Sequence, residues 1–343
     1  MPLSSDQLRD CLSRLPRVQL AHLPTPLDKC PRLSESLRRT VMIKRDDCTG
    51  LGLGGNKVRQ HEFVLGDALA SGADCLIQGA AAQSNHSRQL AAAGARLGLD
   101  VFLLPKQDEF SHPVQGNYLV DHLLGATLVP IGKDDSATER KRQLADELRA
   151  QGRRPYVTGM GAERALALAA VAYVDALLEI VQALEAPPHW IVVTSQGSTQ
   201  AGLQLGCELL GLPTQVIGIC PMTRESEAFI NPAGIARLAQ AAAELMDVTT
   251  QITAADIVSL TDYVGPRYGV ASEASVTAIK RLGAAEGILL DPVYSGKGFA
   301  GLLDLCERDV LPSGSRGVFL HTGGIPALFS HASALMAHES ATA

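Results

Sequence analysis

The sequence predicts an α/β fold with two mostly parallel sheets, and three observations carry that prediction. From residue 40 onward, short continuous apolar runs alternate with helical stretches nearly to the C-terminus. Strands that are apolar on both faces belong to parallel sheets covered on both sides. Turn-rich stretches near Lys57 and over residues 156–161 interrupt the alternation. They divide the chain into a large part, 1–57 with 161–343, and an inserted α/β part, 58–160. With 343 residues the chain is long enough for both.

Taken in order, residues 1–39 read as a short helix and an irregular arm in which Pro24 and Pro26 enforce extended backbone. A β-rich run covers 40–44, and 57–70 has helical spacing. A strand at 75–78 leads to an Ala-rich helix at 84–97, then strand 101–104, helix 114–124, strand 127–131 and a charged helix at 135–151. A long Ala-rich helix spans 164–184, followed by strand 190–194, helix 199–210 and strand 215–219. Helices are expected around 225–245 and 272–285, and the last strand at 317–321.

Composition narrows the function classes. Hydrophobic residues make up 46% and charged residues 19%, the balance of a globular enzyme rather than a disordered chain. A net charge of −6 argues against a general nucleic-acid binder, which needs clustered Lys and Arg. No apolar run approaches the roughly 20 residues of a membrane span. Asp6, Arg9, Asp10 and Arg14 break any signal-peptide pattern at the N-terminus. The seven cysteines are scattered, odd in number and free of C-x-x-C pairs. They point to reduced thiols in a cytoplasm and away from a disulfide framework or a zinc site.

Several clusters carry candidate chemistry. In Gly50-Leu51-Gly52-Leu53-Gly54-Gly55-Asn56-Lys57, a glycine-dense strand-to-helix turn lets backbone approach a ligand. A partly desolvated lysine there can form a Schiff base with a carbonyl compound; a flexible connection with an exposed lysine fits the same residues. Gly50, Gly52 and Gly55 also satisfy G-x-G-x-x-G, but the acidic residue a dinucleotide requires near 78–80 is missing. In Gln83-Ser84-Asn85-His86, Ser84 and Asn85 either cap a helix or hold a substrate carboxylate. After the strand 190–194, Gly197, Ser198, Thr199, Gln200, Ala201 and Gly202 form either a phosphate cradle or a plain turn, without the Gly-Lys-Ser/Thr of a nucleoside-triphosphate loop. Tyr268, Tyr294 and Thr322 sit in glycine-adjacent turns suited to a cleft, although each tyrosine alone also fits a packing role.

In order along the chain, Lys44-Arg45-Asp46-Asp47, Gly54-Gly55-Asn56-Lys57, Gln83-Ser84-Asn85-His86, Gly197-Ser198-Thr199-Gln200-Ala201-Gly202, Asp291-Pro292-Val293-Tyr294 and Gly323-Gly324 resemble the motifs of one family. It is that of the pyridoxal-phosphate enzymes D-cysteine desulfhydrase and 1-aminocyclopropane-1-carboxylate deaminase. The resemblance runs from about residue 23 to residue 328. It implies a tryptophan-synthase-β-like (fold type II) architecture with two open, twisted sheets, pyridoxal 5'-phosphate in the cleft between two domains, and a homodimer. It implies Lys57 as the Schiff-base lysine, residues 197–202 as the 5'-phosphate cradle and Asn85 as the partner of the ring oxygen. Ser84, Asn85, His86, Tyr268 and Tyr294 would face a small amino-acid substrate, with Ser295 and Thr322 beside the cofactor.

Ser295 and Thr322 stand where the deaminase branch carries Glu and Leu, and they match the desulfhydrase branch. A hydroxyl near the pyridine nitrogen stabilises its protonated form less than a carboxylate does, which favours β-elimination. Ala80-Ala81-Ala82 replaces a Gly-Gly pair, and each methyl takes space and disfavours positive φ. Glu163 and Arg164 replace a glycine- and serine-rich turn; they either reach the cleft mouth or remain solvated. The expected reaction is β-elimination from a small amino acid, most simply D-cysteine to pyruvate, sulfide and ammonia. Lys57 or Tyr294 would accept the Cα proton, Ser84 would assist, and the glycines before Lys57 would give the ring room. The alternatives are cysteate sulfo-lyase, aminocyclopropane-carboxylate deaminase, amino-acid racemase, or a non-catalytic cofactor-binding protein.

Overall fold

The strand–helix alternation resolves into two separate sheets in the computed structural model, which describes residues 2–107 and 111–337. The strands are β1 (Leu27–Lys29), β2 (Thr40–Arg45), β3 (Cys75–Ala81), β4 (Asp100–Lys106), β5 (Thr127–Leu128), β6 (Pro155–Val157), β7 (Trp190–Thr194), β8 (Gln215–Ile219), β9 (Val258–Leu260) and β10 (Arg316–His321). One sheet has the order β1-β2-β10-β7-β8-β9 and the other β5-β4-β3-β6. Every pairing is parallel except that of β1 with β2. The central strand β7, Trp-Ile-Val-Val-Thr, is buried at all five positions, as a β-branched strand covered on both faces must be.

Six helices position the site: α1 (Lys57–Ala70), α2 (Asn85–Leu97), α3 (Gly116–Leu123), α4 (Glu163–Gln182), α5 (Ser198–Leu209) and α6 (Ser295–Glu307). Helix α4 corrects one sequence expectation. It has 20 residues, and an 18-residue window within it has a mean hydropathy of 1.7, long and apolar enough for a membrane span, yet 72% of that window is buried inside the protein. Its alanines let α5 approach closely, and a Cβ on Gly202 would stand 2.0 Å from the Ala170 carbonyl oxygen.

Other expectations shift for local reasons. The arm before residue 39 contains β1 and a helix at Pro31–Leu37. The turn-rich stretch at 156–161 begins inside β6, whose three residues are too few to show a period. The strand expected at 127–131 stops after Leu128, close to Pro130, which cannot donate to a ladder. The helix expected from 225 starts at Pro232, where Asn231 accepts from the Gly234 amide as its N-cap.

A charge cluster joins β2, the turn after it, α1 and α4. The Arg59 guanidinium on α1 contacts Asp46 at 3.0 Å and Glu179 of α4 at 2.7 Å, while the Lys44 ammonium on β2 contacts Glu179 at 2.5 Å. Thr25 and Tyr173 hydroxyls, each at 2.7 Å, also donate to Asp46. Burial pushes Asp46 toward its neutral form, but the Arg59 charge and hydrogen bonds, with Lys44, hold it below the usual carboxylate range. Two cations and two anions are therefore buried with their charges balanced. Removing one partner of such a group leaves an uncompensated charge. Arg59→Met should lower unfolding stability by about 3–5 kcal/mol in denaturant titrations; a loss below about 1 kcal/mol would show that the cluster contributes little.

Candidate active site

A cavity of 340 Å³ opens between the end of β3, the starts of α1, α2 and α5, and the turns that carry Tyr268, Tyr294 and Thr322. Lys57 is the first residue of α1, and the amide of Asn56 before it donates to the Thr322 carbonyl at 2.9 Å. The Lys57 side chain looks onto the water-accessible cavity but is otherwise enclosed by protein, and it has no ion-pair or hydrogen-bond partner among the described residues. Burial without a compensating carboxylate pushes its pKa down to about 8.

The glycines before Lys57 do something other than expected: Gly50, Gly52, Gly54 and Gly55 do not line the cavity. A Cβ on Gly54 would meet the Asp47 carbonyl oxygen at 2.0 Å, and one on Gly55 the Gln89 amide at 2.5 Å. Across the contact, a Cβ on Gly323 would lie 2.7 Å from the Gly55 Cα. The glycines let this turn fold against itself and against the end of β10, and so set where α1 begins.

Asn85, Ser84 and His86 all reach the cavity. Ser84 caps α2 by accepting from the Ser87 amide at 3.2 Å, so its hydroxyl hydrogen can still be donated. Asn85 and His86 occupy the first two helical positions, whose amides lie outside the intrahelical ladder. The orientation of the Asn85 amide follows from a chain of partners. Arg88 can only donate, and its Nε gives a 2.7 Å bond to Asn117 Oδ1 on α3. Asn117 Nδ2 must then donate, and it does so to Asn85 Oδ1 at 2.9 Å. Asn85 Nδ2 is left as the group able to donate to a ligand.

At the start of α5 the cradle is narrower than the motif. Gly197, Ser198 and Thr199 line the cavity, whereas Gln200, Ala201 and Gly202 do not. Gln200 donates to the Val258 carbonyl at 2.7 Å, Ala201 sits in the hydrophobic core, and Gly202 serves the contact with α4. Thr199 Oγ1 accepts from Asn56 at 3.4 Å and Gln60 at 3.3 Å; Ser198 Oγ is buried with no partner.

Thr322 lines the cavity with a buried, unpartnered hydroxyl. Ser295 does not reach it, because Asp291 Oδ1 accepts its hydroxyl at 2.6 Å and its amide at 2.8 Å. Asp291 Oδ2 accepts the Tyr294 amide at 2.8 Å and aims that residue at the cavity. Burial keeps the Tyr294 phenol well above its ordinary pKa, hence protonated. Tyr268 reaches the cavity on a turn propped by the buried Lys297 ammonium, which donates to the carbonyls of Val264 at 2.6 Å and Arg267 at 2.9 Å.

Ala80 and Ala81 line the wall, and no residue of 80–82 has a positive φ, so the methyls impose no backbone strain. Glu163 and Arg164 stay outside; Arg164 pairs with Asp67 at 2.6 Å at the start of α4. Several cavity residues escaped the sequence reading, His61, Gln60 and Lys141 among them. His61 and Gln60 lie on α1 with Lys57, and a four-residue step from Lys57 would have found His61. Lys141 hides in a charged helix that reads as solvated, yet it is buried and donates to the carbonyls of Thr158 at 2.8 Å and Met160 at 2.6 Å.

Comparison with known proteins places this geometry. The family described as pyridoxal-phosphate dependent enzyme matches residues 18–323. A D-cysteine desulfhydrase of Klebsiella pneumoniae (strain 342) is 40% identical over 327 residues, covering 93% of this chain and 97% of the relative. One from Salmonella typhi is 41% identical over 332 residues with coverage of 93% and 97%. A crystal structure of an ACC deaminase homologue, 34% identical, matches with a TM-score of 0.86 over 96% of this chain and 98% of its own. The processed form of threonine deaminase isoform 2 from Solanum lycopersicum shares the fold at 17% identity, with a TM-score of 0.67 over 98% and 89% of the two chains.

The lowered pKa of Lys57 has a direct consequence. Its amine is protonated below about pH 8 and free above it. In the cofactor-free chain, acylation of Lys57 by an amine-specific reagent should rise through pH 8 and level off above it, as read by peptide mass spectrometry. An ordinary lysine would still be rising at pH 10, and that profile at Lys57 would contradict the desolvated setting.

Proposed function

We propose that this chain, which belongs to the family of pyridoxal-phosphate dependent enzymes, is a lyase that removes the β-substituent of a small amino acid, D-cysteine foremost, giving pyruvate, sulfide and ammonia. The observation that carries the reading is Lys57: a partnerless lysine of lowered pKa in a cavity whose remaining walls are rich in donors. The names of the 40–41% identical relatives support D-cysteine as the substrate.

The residues present fit the cofactor. Its phosphate requires donors at a helix start, and the first amides of α5, with the unpartnered Ser198 hydroxyl and Thr199, supply them. Its ring oxygen requires a donor, and Asn85 Nδ2 is the one that the Arg88–Asn117 chain leaves free. Its ring nitrogen requires a modest partner, and the Thr322 hydroxyl is buried and unused. Bound there, pyridoxal phosphate supplies an electron sink for the pair left at Cα when a proton departs.

The chain's own part is binding and proton transfer. The start of α2, with the Ser84 hydroxyl and the Asn85 and His86 amides, holds the substrate carboxylate. Lys57, free above about pH 8, is the stronger candidate for taking the Cα proton. Tyr294, kept protonated by burial, is suited to donate rather than accept. Ring opening of a cyclopropane is less favoured, because Ser295, bonded to Asp291, stands where the deaminase branch carries Glu, and the hydroxyl on the cavity is that of Thr322, where that branch carries Leu.

We further propose the domain division 1–57 with 161–343 and 58–160, and a cytoplasmic homodimer. The free cysteines support a reducing compartment. Leu119 and Leu123 on α3 and Phe329 on the helix Ile325–Ser330, which meet, remain exposed and would suit a second copy of the chain. The test is pyruvate release from D-cysteine by the cofactor-loaded enzyme. Lys57→Ala should abolish it at unchanged melting temperature; turnover by that variant, or none by the parent, contradicts the reading.

A further inference from the structure

Half of the buried side-chain polar atoms that lack a hydrogen-bond partner among the described residues line the cavity. Ser198 and Thr322 are accounted for by the cofactor. Both ring nitrogens of His61 and Nε2 of His86 are not. His61 is 1% exposed, one helical turn beyond Lys57, and its ring meets that of His86 with centroids 4.9 Å apart and planes tilted by 48°. The backbone of His86 lies near enough to raise the His61 pKa slightly but forms no hydrogen bond with it.

A buried polar atom without a partner costs free energy, and leucine at position 61 would fill the space without that cost. A polar ligand removes it. Burial, reinforced by the nearby Lys57 charge, pushes His61 down to about 3 and holds His86 well below its usual value. Both rings are therefore neutral in ordinary buffers, each with one N–H to donate. Lys141, which also lines the cavity, is close enough to act on His86. Glu227 is the one carboxylate residue on the described lining, and it already accepts from Ser136 at 2.7 Å. Beyond the second nitrogen of each neutral imidazole, which accepts, this wall offers N–H donors and the positive charge of Lys141.

We propose that His61 and His86 form a subsite for the substrate's β-substituent, built for an oxygen-rich acceptor group such as a carboxylate, sulfinate or sulfonate in preference to a bare thiol. This rests on the reading of the cavity as a β-eliminating site; within that reading it moves the preferred β-substituent from the thiol of D-cysteine to an oxyanion, and D-cysteine serves as the probe of β-elimination itself. A thiol is a weak donor and a weak acceptor, so it leaves the imidazoles unsatisfied. An oxyanion accepts from both rings, with Lys141 contributing charge.

The test uses the holoenzyme and two amino acids that carry no leaving group. Aspartate presents a carboxylate at the β-position, and 2-aminobutyrate presents a methyl there. Dissociation constants are measured by calorimetry for both enantiomers. The parent should favour aspartate by at least about 10-fold in one enantiomeric series, the value of a hydrogen bond to a charged group. His61→Leu should reduce that preference to within about 3-fold, and His61→Gln, which keeps a donor and an acceptor, should restore part of it. The melting temperature of His61→Leu should hold or rise. No preference in the parent, an unchanged preference in His61→Leu, or a fall in melting temperature of several degrees would overturn the proposal. Pyruvate release from D-cysteine, measured on the same preparation, reports on the β-elimination reading alone.

Discussion

The buried cluster of Lys44, Asp46, Arg59 and Glu179 is the constraint on which the rest depends. Four charges removed from water are tolerable only if each is met by an opposite charge or a hydrogen bond in good geometry. Here the geometry spans β2, the turn after it, α1 and α4, with Thr25 and Tyr173 completing Asp46. Arg59 is two residues beyond Lys57, so fixing one fixes the other. Gly323 against Gly55, and the Asn56 amide on the Thr322 carbonyl, tie the same point to the end of β10.

Carboxylates hold the cluster together, but on the described cavity lining Glu227 is the one carboxylate residue. With no carboxylate acting on it, Lys57 is governed by desolvation, which moves its pKa to about 8. The cluster and the lysine thus divide two tasks. Paired charges hold the helix in place, and an unpaired one near its end remains available for chemistry. Asn85 follows the same pattern: Arg88 and Asn117 are fully engaged, so that the last amide in the chain is oriented but free.

Much of the architecture was legible because it is periodic. Lys57–Ala70, Trp190–Thr194 and Gln215–Ile219 fall where the sequence placed them, since helical spacing and continuous apolar runs follow directly from burial. Lys57, Ser84, Asn85, Thr199, Tyr268, Tyr294 and Thr322 converge as the motifs suggested. What escaped depends on tertiary neighbours. Ser295 is drawn away by Asp291, Gly202 answers to Ala170, and Gly54 and Gly55 answer to Asp47, Gln89 and Gly323. His61 went unnoticed because its four-residue step from Lys57 carries meaning only once Lys57 is seen to face a cavity.

The central claim is that Lys57, placed by this framework, is the residue that bonds the cofactor. Borohydride reduction of the holoenzyme followed by peptide mapping tests it most directly. The account predicts the fixed pyridoxyl group on Lys57 alone. Its presence instead on Lys141, which lines the same cavity with a pKa also pushed down to about 8 by burial, or on Lys106, would contradict it.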